Sequence, residues 1–276
     1  MLYTQPISMS ATGMIRARAY LDGYINSEIS TNSYFVGETH SLPILSVVTE
    51  NDYLFDETNG IYMLGPNAVE IASSPGHYKN ANYSASGKEA ERPASFEVFD
   101  ENGNQVFAQN IGIRIQGGYS RDKAQKSFAI FARSEYGPGV MDYAFFDNRP
   151  FEQYQAIQLR QGGQDQNIAK IKEATLLALV EGQGYNFIVQ AVKPYVLYIN
   201  GEYWGVYYMQ EKRNEEFIAQ HEGVVDADNM NIMKASTIVL QGSNTEYKEL
   251  IKFVDSNDMS SKENFDYIAQ YIDTDS

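Results

Sequence analysis

The alternation of apolar and polar positions predicts β-structure through the first half of the chain and helices towards its end. Ile15-Arg-Ala-Arg-Ala-Tyr20 alternates, Leu21-Asp-Gly-Tyr24 supplies a turn and Thr31–Val36 extends again, so residues 1–36 read as short strands. Leu42–Val48 is a continuous apolar run of strand length, followed by Asn51–Asp56 and a turn at Thr58-Asn-Gly60. Residues 64–93, rich in Gly, Pro, Asn and Ser, read as a long loop. From Ser95 the pattern becomes a β-meander. Ser95–Phe99 leads through Asp100–Gly103 to Gln105–Phe107, and Ile111–Gln116 then places Ile111, Ile113 and Ile115 on one face with Arg114 and Gln116 on the other. A Gly117-Gly118-Tyr119-Ser120 loop precedes the alternating strand Lys126–Ala132, whose Lys126, Phe128 and Ile130 share a face.

Residues 165–181 read as a helix with Asp165 as N-cap, a stripe of Ile168, Ile171, Thr175 and Leu179, and Gly182 as its stop. Pro194–Ile199 and Glu202–Met209 flank Asn200-Gly201, the dipeptide favoured by a two-residue type I′ hairpin because both positions need positive φ. Two amphipathic helices follow, one with Tyr247, Leu250, Ile251 and Val254, the other with Phe265, Ile268, Ala269 and Ile272. Ser243 with Glu246 and Ser260 with Glu263 have capping-box spacing.

Composition narrows the chemistry. With 36 acidic against 21 basic residues the net charge is −15, which argues against binding to nucleic acid or anionic membranes. The absence of Cys excludes disulfides, thiolate nucleophiles and cysteine-ligated metals. No stretch reaches the ~18 apolar residues of a transmembrane helix, and the start lacks the layout of a signal peptide. The expectation is a cytoplasmic protein, or an exported one whose true start lies upstream.

Several constellations can be set aside. His40, His77 and His221 are far apart without metal-site spacing, and no G-x-S-x-G elbow occurs. Ser86-Gly-Lys88 lacks the first glycine and the hydroxyl of a phosphate loop, and Asp100–Gly103 and Asp226–Asn229 lack a full calcium-ligand ladder. What remains is an order of elements: a strand ending in Gly117-Gly118 with Ser120 in the loop, a strand with Lys126, a helix with Glu173, and a hairpin running out at Gln210-Glu211. Glycines let backbone N–H groups approach phosphates, and a strand lysine held by a helix carboxylate can meet them. That is the order of a protein-kinase small lobe.

Gly112–Ser120 followed by Gln125-Lys-Ser-Phe128 resembles a stretch of the spore coat protein CotH family, as do Leu159–Asp165, Tyr198–Glu211 and the entry segment Leu42–Val48 with Leu54–Tyr62. The resemblance covers residues 40–276. Residues 2–36 are similar to the last strands of a chitobiase/hexosaminidase C-terminal, immunoglobulin-like module. It implies an α+β chain: a β-sandwich remnant over 1–36, then an atypical kinase-like domain over 37–276, with a β-rich small lobe and the start of a helical large lobe.

The family's activity implies ATP-dependent phosphorylation of Ser or Thr on coat or surface proteins, with ATP and Mg²⁺ or another divalent metal as cofactors, in an extracellular, cell-surface or spore-coat setting. Carried over by position, Gly117, Gly118 and Ser120 belong to the nucleotide-covering loop and Lys126 is the phosphate-binding lysine. Arg114 flanks the loop and Glu211 stands near the hinge, while element order makes Glu173 the partner of Lys126. Gly118-Tyr119, Gln125 and Gln161 depart from the family pattern. The family's catalytic and metal-binding aspartates lie downstream of a helix like Asn264–Ile272, so the expectation is a fragment that does not turn over. A non-catalytic scaffold or adhesion module is the rival, motivated by Tyr-rich polar segments; an accessory module of a carbohydrate-active enzyme rests on residues 2–36 alone.

Overall fold

A computed structural model describes residues 2–184, 187–235 and 238–273. The chain forms two compact units, residues 1–177 with 191–212, and residues 178–190 with 213–276. The first opens with a ribbon of β1 (Gly13–Ala17) and β2 (Ser30–Tyr34). Seven further strands close into a barrel: β3 (Ile44–Thr49), β4 (Arg92–Phe99), β5 (Gln105–Gln116), β6 (Ser127–Phe131), β7 (Ala156–Arg160), β8 (Val192–Ile199) and β9 (Glu202–Glu211). Their order around the wall is β7–β9–β8–β3–β4–β5–β6 and back to β7. Every pair is antiparallel except β8 with β3, which runs parallel from Val196 opposite Ile44 to Ile199 opposite Val47.

Alternation decides what fills the barrel. Leu45, Phe96, Ile113, Ile130, Leu159, Leu197 and Met209 belong to one buried cluster, so every strand sends an apolar residue into the barrel. The Asn200-Gly201 turn forms as its sequence requires, with φ of 51° and 81°. A Cβ at Gly201 would stand 2.9 Å from the Cα of Gly13, so only glycine lets the ribbon lie against this corner. The ribbon is also fixed by polar contacts: the Ser33 amide and hydroxyl donate to the fully buried Glu97 at 3.0 and 2.5 Å, and Gln105 Nε2 donates to the same carboxylate at 2.7 Å. Burial pushes the Glu97 carboxyl up, and these donors oppose the shift. Residues 1–36 thus share a compact unit with the barrel.

Several elements differ from their sequence expectation. Gln105–Phe107 and Ile111–Gln116 are one strand, because Ala108, Gln109 and Asn110 continue the ladder opposite Glu97, Phe96 and Ser95. Segment 64–93 carries short structure of its own, with Val69-Glu70 paired to Tyr78-Lys79 and 3₁₀ turns at Asn82–Ser84 and Lys88–Ala90. Asn51–Phe55 forms the short helix α1, and the helix expected from Asp165 begins only at α2 (Lys172–Val180). Asp165 instead ends a 3₁₀ turn, its carboxylate accepts from the Lys172 amide at 3.0 Å, and Lys170 adopts a φ of 64° that interrupts any helix. Ile168, Ile171, Leu176 and Leu179 are exposed.

The second unit holds α3 (Glu215–Glu222), capped by Asn214 and closed by Gly223, a ribbon of β10 (Ile232–Lys234) and β11 (Ile238–Gln241), and helices α4 (Thr245–Ser256) and α5 (Lys262–Ile268). The rings of Phe253 and Tyr267 lie 4.5 Å apart between α4 and α5. Neither expected capping box forms: Ser243 Oγ accepts from the Thr245 amide, and Ser260 donates to Asp258.

Candidate functional site

Lys126 is an inward-facing residue, one step before β6, at the mouth of the barrel. Its side of the strand is shared with Phe128 and Ile130, both buried in the apolar cluster. The ammonium donates to the carbonyls of Arg121 and Lys123 at 2.6 and 2.9 Å and lies 4.1 Å from the centroid of Tyr83 and 5.2 Å from that of Tyr62. Only 5% of the residue is exposed. Burial pulls its pKa down to about 8, partly offset by the Asp122 carboxylate.

Lys126 therefore loses its proton at lower pH in the fold than in the unfolded chain. The unfolded chain therefore holds the extra proton between about pH 8 and the ordinary lysine range, and stability rises with pH over that window. Urea denaturation at pH 7, 8, 9 and 10 should show the chain gaining stability relative to Lys126→Met as pH rises from 8. A constant difference would place the ammonium in a water-like setting.

The outer wall is different. Along β7, Ile157 and Leu159 point inward, so Gln158 and Arg160 point outward. Arg160 Nε and Nη2 donate to Glu173 of α2 at 2.9 to 3.1 Å in a bidentate pair. Its Nη1 has no protein partner among the described residues. The expected pairing of Glu173 with Lys126 is thus not formed. Glu173 lies outside the barrel wall, whereas Lys126 is committed to loop carbonyls within its mouth.

Among the described residues the buried amide atoms Gln161 Nε2, Gln210 Nε2 and Gln166 Oε1 have no hydrogen-bond partner. The Gln161 carbonyl accepts from the Ser127 hydroxyl, which in turn accepts from the Gln161 backbone amide. Gln210 lies on β9 opposite Gln158, one outward rung from Arg160 opposite Tyr208.

The remaining expected residues are spread around the barrel. Gly117, with a φ of 126°, and Gly118 make the turn after β5, and a Cβ on Gly118 would meet nothing within 4 Å. Ser120 is buried in the 3₁₀ turn Tyr119–Asp122. Arg121 ties this turn back, donating to the carbonyls of Gly117 at 2.7 Å and of Tyr83 and Ala85 at 2.8 Å. Arg114 points outward, donates to the Gly87 carbonyl at 2.8 Å and lies over Phe131. Glu211 is the last residue of β9, opposite Ile157, whereas Lys126 sits beyond the Leu159–Phe128 rung. The register therefore puts Glu211 and Lys126 at opposite mouths. Glu211 accepts from Arg149 Nε at 2.8 Å and the Ala191 amide at 2.7 Å.

The set-aside motifs behave as local structure. Lys88 pairs with Glu135, Asp100 accepts from the amides of Asn102 and Asn104, and Asp226 from that of Asp228. His40 meets Tyr198, His77 meets Asp122, and His221 stacks on Phe217. Among the described residues no group of three or more His, Asp or Glu could hold a metal ion, and no helix is long and apolar enough to cross a membrane.

Fold and wall together define an α+β protein built on a closed, mostly antiparallel barrel, with a paired arginine on its outside. The chain belongs to the CotH family: the family described as CotH kinase protein matches residues 113–276, more than half of its length. That match begins inside β5, taking in the glycine turn, Lys126, Arg160, Glu173, Gln210 and the whole of α3 to α5. Residues 40–112, expected to share the resemblance, lie outside it. No match is found among the curated proteins.

Arg160 and Gln210 were legible in the sequence only inside longer stretches, Gln161 was noted as a departure, and none of them was paired with Glu173 or Gln158. The signal was present as alternation: Ala156-Ile-Gln-Leu-Arg160 interleaves two core residues with Gln158 and Arg160.

Proposed function

We propose that this chain binds a nucleoside triphosphate on the outer wall of the barrel, in the service of phosphoryl transfer to Ser or Thr of a protein substrate in a coat or surface setting. The observation that carries the reading is the Arg160–Glu173 pair. In kinase-type phosphoryl transfer a glycine turn joins two strands, the next strand carries a cation for the phosphates, and the following helix carries the glutamate that holds it. Here the turn Gly117-Gly118 joins β5 to β6, β7 carries Arg160 and α2 carries Glu173. The hairpin β8–β9 then follows.

The donor set fits such a ligand. Arg160 keeps a free edge, and open space at Gly118 leaves the turn accessible to a phosphate. In this arrangement Lys126 braces the turn from within, holding the carbonyls of Arg121 and Lys123. ATP bound with Mg²⁺ supplies the transferable phosphoryl group. The described residues offer no clustered metal ligands, so a metal would arrive with the phosphates.

Isothermal titration of the chain with Mg²⁺–ATP tests the reading. Saturable binding that a nonhydrolysable ATP analogue reproduces is the expected result. No heat and no rise in unfolding temperature at millimolar ATP would overturn it, leaving the scaffold reading.

A further inference from the structure

We infer that Nε2 of His77 is a phosphoryl-accepting nucleophile set against the glycine turn, where it takes the γ-phosphoryl group of the bound nucleotide; as to the donor, the inference rests on the nucleotide reading above. His77 Nδ1 bonds to Asp122 Oδ2. An ionised carboxylate only accepts, so the ring proton sits on Nδ1 and Nε2 keeps its lone pair. Nε2 has no partner among the described residues, and the side chain is 25% exposed, so a small donor can reach it. His40, by contrast, has its Nε2 bonded to the Tyr198 hydroxyl.

Both members of the pair are held by backbone. His77 immediately precedes the Tyr78-Lys79 strand that pairs with Val69-Glu70; its amide donates to the Ser74 carbonyl at 3.1 Å, and its carbonyl accepts from the Ile71 amide at 2.8 Å. Asp122 ends the 3₁₀ turn Tyr119–Asp122 that follows Gly117-Gly118 directly, and Arg121 ties that turn back. The Asp122 side chain is the more buried of the two, and its carboxylate also bonds to the Tyr83 hydroxyl and acts on the Lys126 ammonium.

The turn sets the nucleophile relative to the phosphates. The imidazole stands edge-on to the Tyr119 ring with centroids 4.8 Å apart, and Tyr119 directly follows Gly118, where a Cβ would meet nothing within 4 Å. The bare nitrogen therefore flanks the open backbone that a phosphate approaches. His77 lies outside the stretch matched by the family and Asp122 inside it, so the pair joins a segment of this chain's own to the turn.

The step balances without an external base. The Nε2 lone pair forms a bond to the γ-phosphorus, the bond from that phosphorus to the bridging β–γ oxygen breaks, and ADP leaves with the electron pair. Nε2 carries no proton to lose, and the positive charge that develops on the ring is met by Asp122 through Nδ1–H.

Labelling the unaltered chain with two donors tests this: Mg²⁺–ATP, and phosphoramidate, which phosphorylates histidine and carries no nucleotide. Fragmentation mass spectrometry should place a phosphoryl group on His77 with either donor, stable to alkali and lost in mild acid. Phosphoramidate should label His77 well ahead of His40 and His221. His77→Gln should lose the label while unfolding as the unaltered chain does. Asp122→Asn should slow labelling about tenfold or more, the effect of removing the carboxylate behind a working imidazole.

ATP that binds but leaves His77 unlabelled would overturn the inference while the nucleotide reading stands. Equal labelling of the three histidines by phosphoramidate would reduce the His77–Asp122 contact to a surface ion pair and overturn it as well. Selective labelling by phosphoramidate without any ATP binding would support the nucleophile and overturn the nucleotide reading.

Discussion

Replacing Arg149 with methionine should destabilise the first unit by about 3–5 kcal/mol, the cost of removing the charged partner of a buried carboxylate. The side chains of Arg149 and Glu211 are 7% and 3% exposed, and their 2.8 Å contact sits at the mouth opposite Lys126. Glu211 also holds the Ala191 amide, so its charge organises the entry of the chain towards β8. Glu211→Leu should cost a comparable amount, since it takes the carboxylate from both Arg149 Nε and that amide. The double variant should cost clearly less than the sum, because the two changes remove the two ends of one contact. Chemical denaturation of the four proteins measures this cycle. Strict additivity would show that the two groups act independently.

Arg160→Met should weaken Mg²⁺–ATP binding by about 2 kcal/mol, the strength of a charged hydrogen bond, which is roughly a 30-fold loss of affinity. The Arg160–Glu173 pair is partly open to solvent, at 20% and 33% exposure, so its removal should cost the fold less than about 1 kcal/mol. Binding and stability are thus separable readouts at this position. Lys126→Met should show the converse, an altered pH dependence of stability with ATP affinity largely kept. Glu173→Gln should lose less affinity than Arg160→Met, because the guanidinium remains but is no longer oriented by a carboxylate. An Arg160→Met protein that binds ATP as well as the parent would remove the phosphates from this wall.

Much of the barrel was legible because local signals and burial agree. Leu42–Val48 as a strand, the Asn200-Gly201 hairpin and the isoleucine face of residues 111–115 all follow from alternation or from the φ a turn demands. Closure was not legible, since it depends on β3 pairing with β8 across some 150 residues, Ile44 to Val196, with no local pattern to announce it. The helix before β8 was overextended because Ile168 and Ile171 continue its apolar stripe, while Lys170 breaks it through a backbone angle that side-chain pattern does not encode.

The candidate site was legible as an order of elements but not as pairings: the expectation set Glu173 beside Lys126, whereas Glu173 pairs with Arg160 and Lys126 holds the carbonyls of Arg121 and Lys123. Its placement beside Phe128 and Ile130 already put Lys126 on the core face, and closure of the sheet turns that face into the inside of a barrel. Arg160 escaped because an arginine on a strand reveals nothing until its partner is known.

The single parallel seam also orders events as the chain leaves the ribosome. β3 can take β4 on one edge as soon as residue 99 has emerged, but its other edge has no partner until residues 196–199 follow. Loop-closure entropy makes that late, long-range pairing a slow step. Through the synthesis of about a hundred residues the nascent sheet therefore stands open along an apolar strand, the condition under which chains associate wrongly. Over that interval the β1–β2 ribbon is the one strand pair made wholly upstream of β3. By docking Ser33 on Glu97 it covers the outer side of the growing sheet before the barrel can shut.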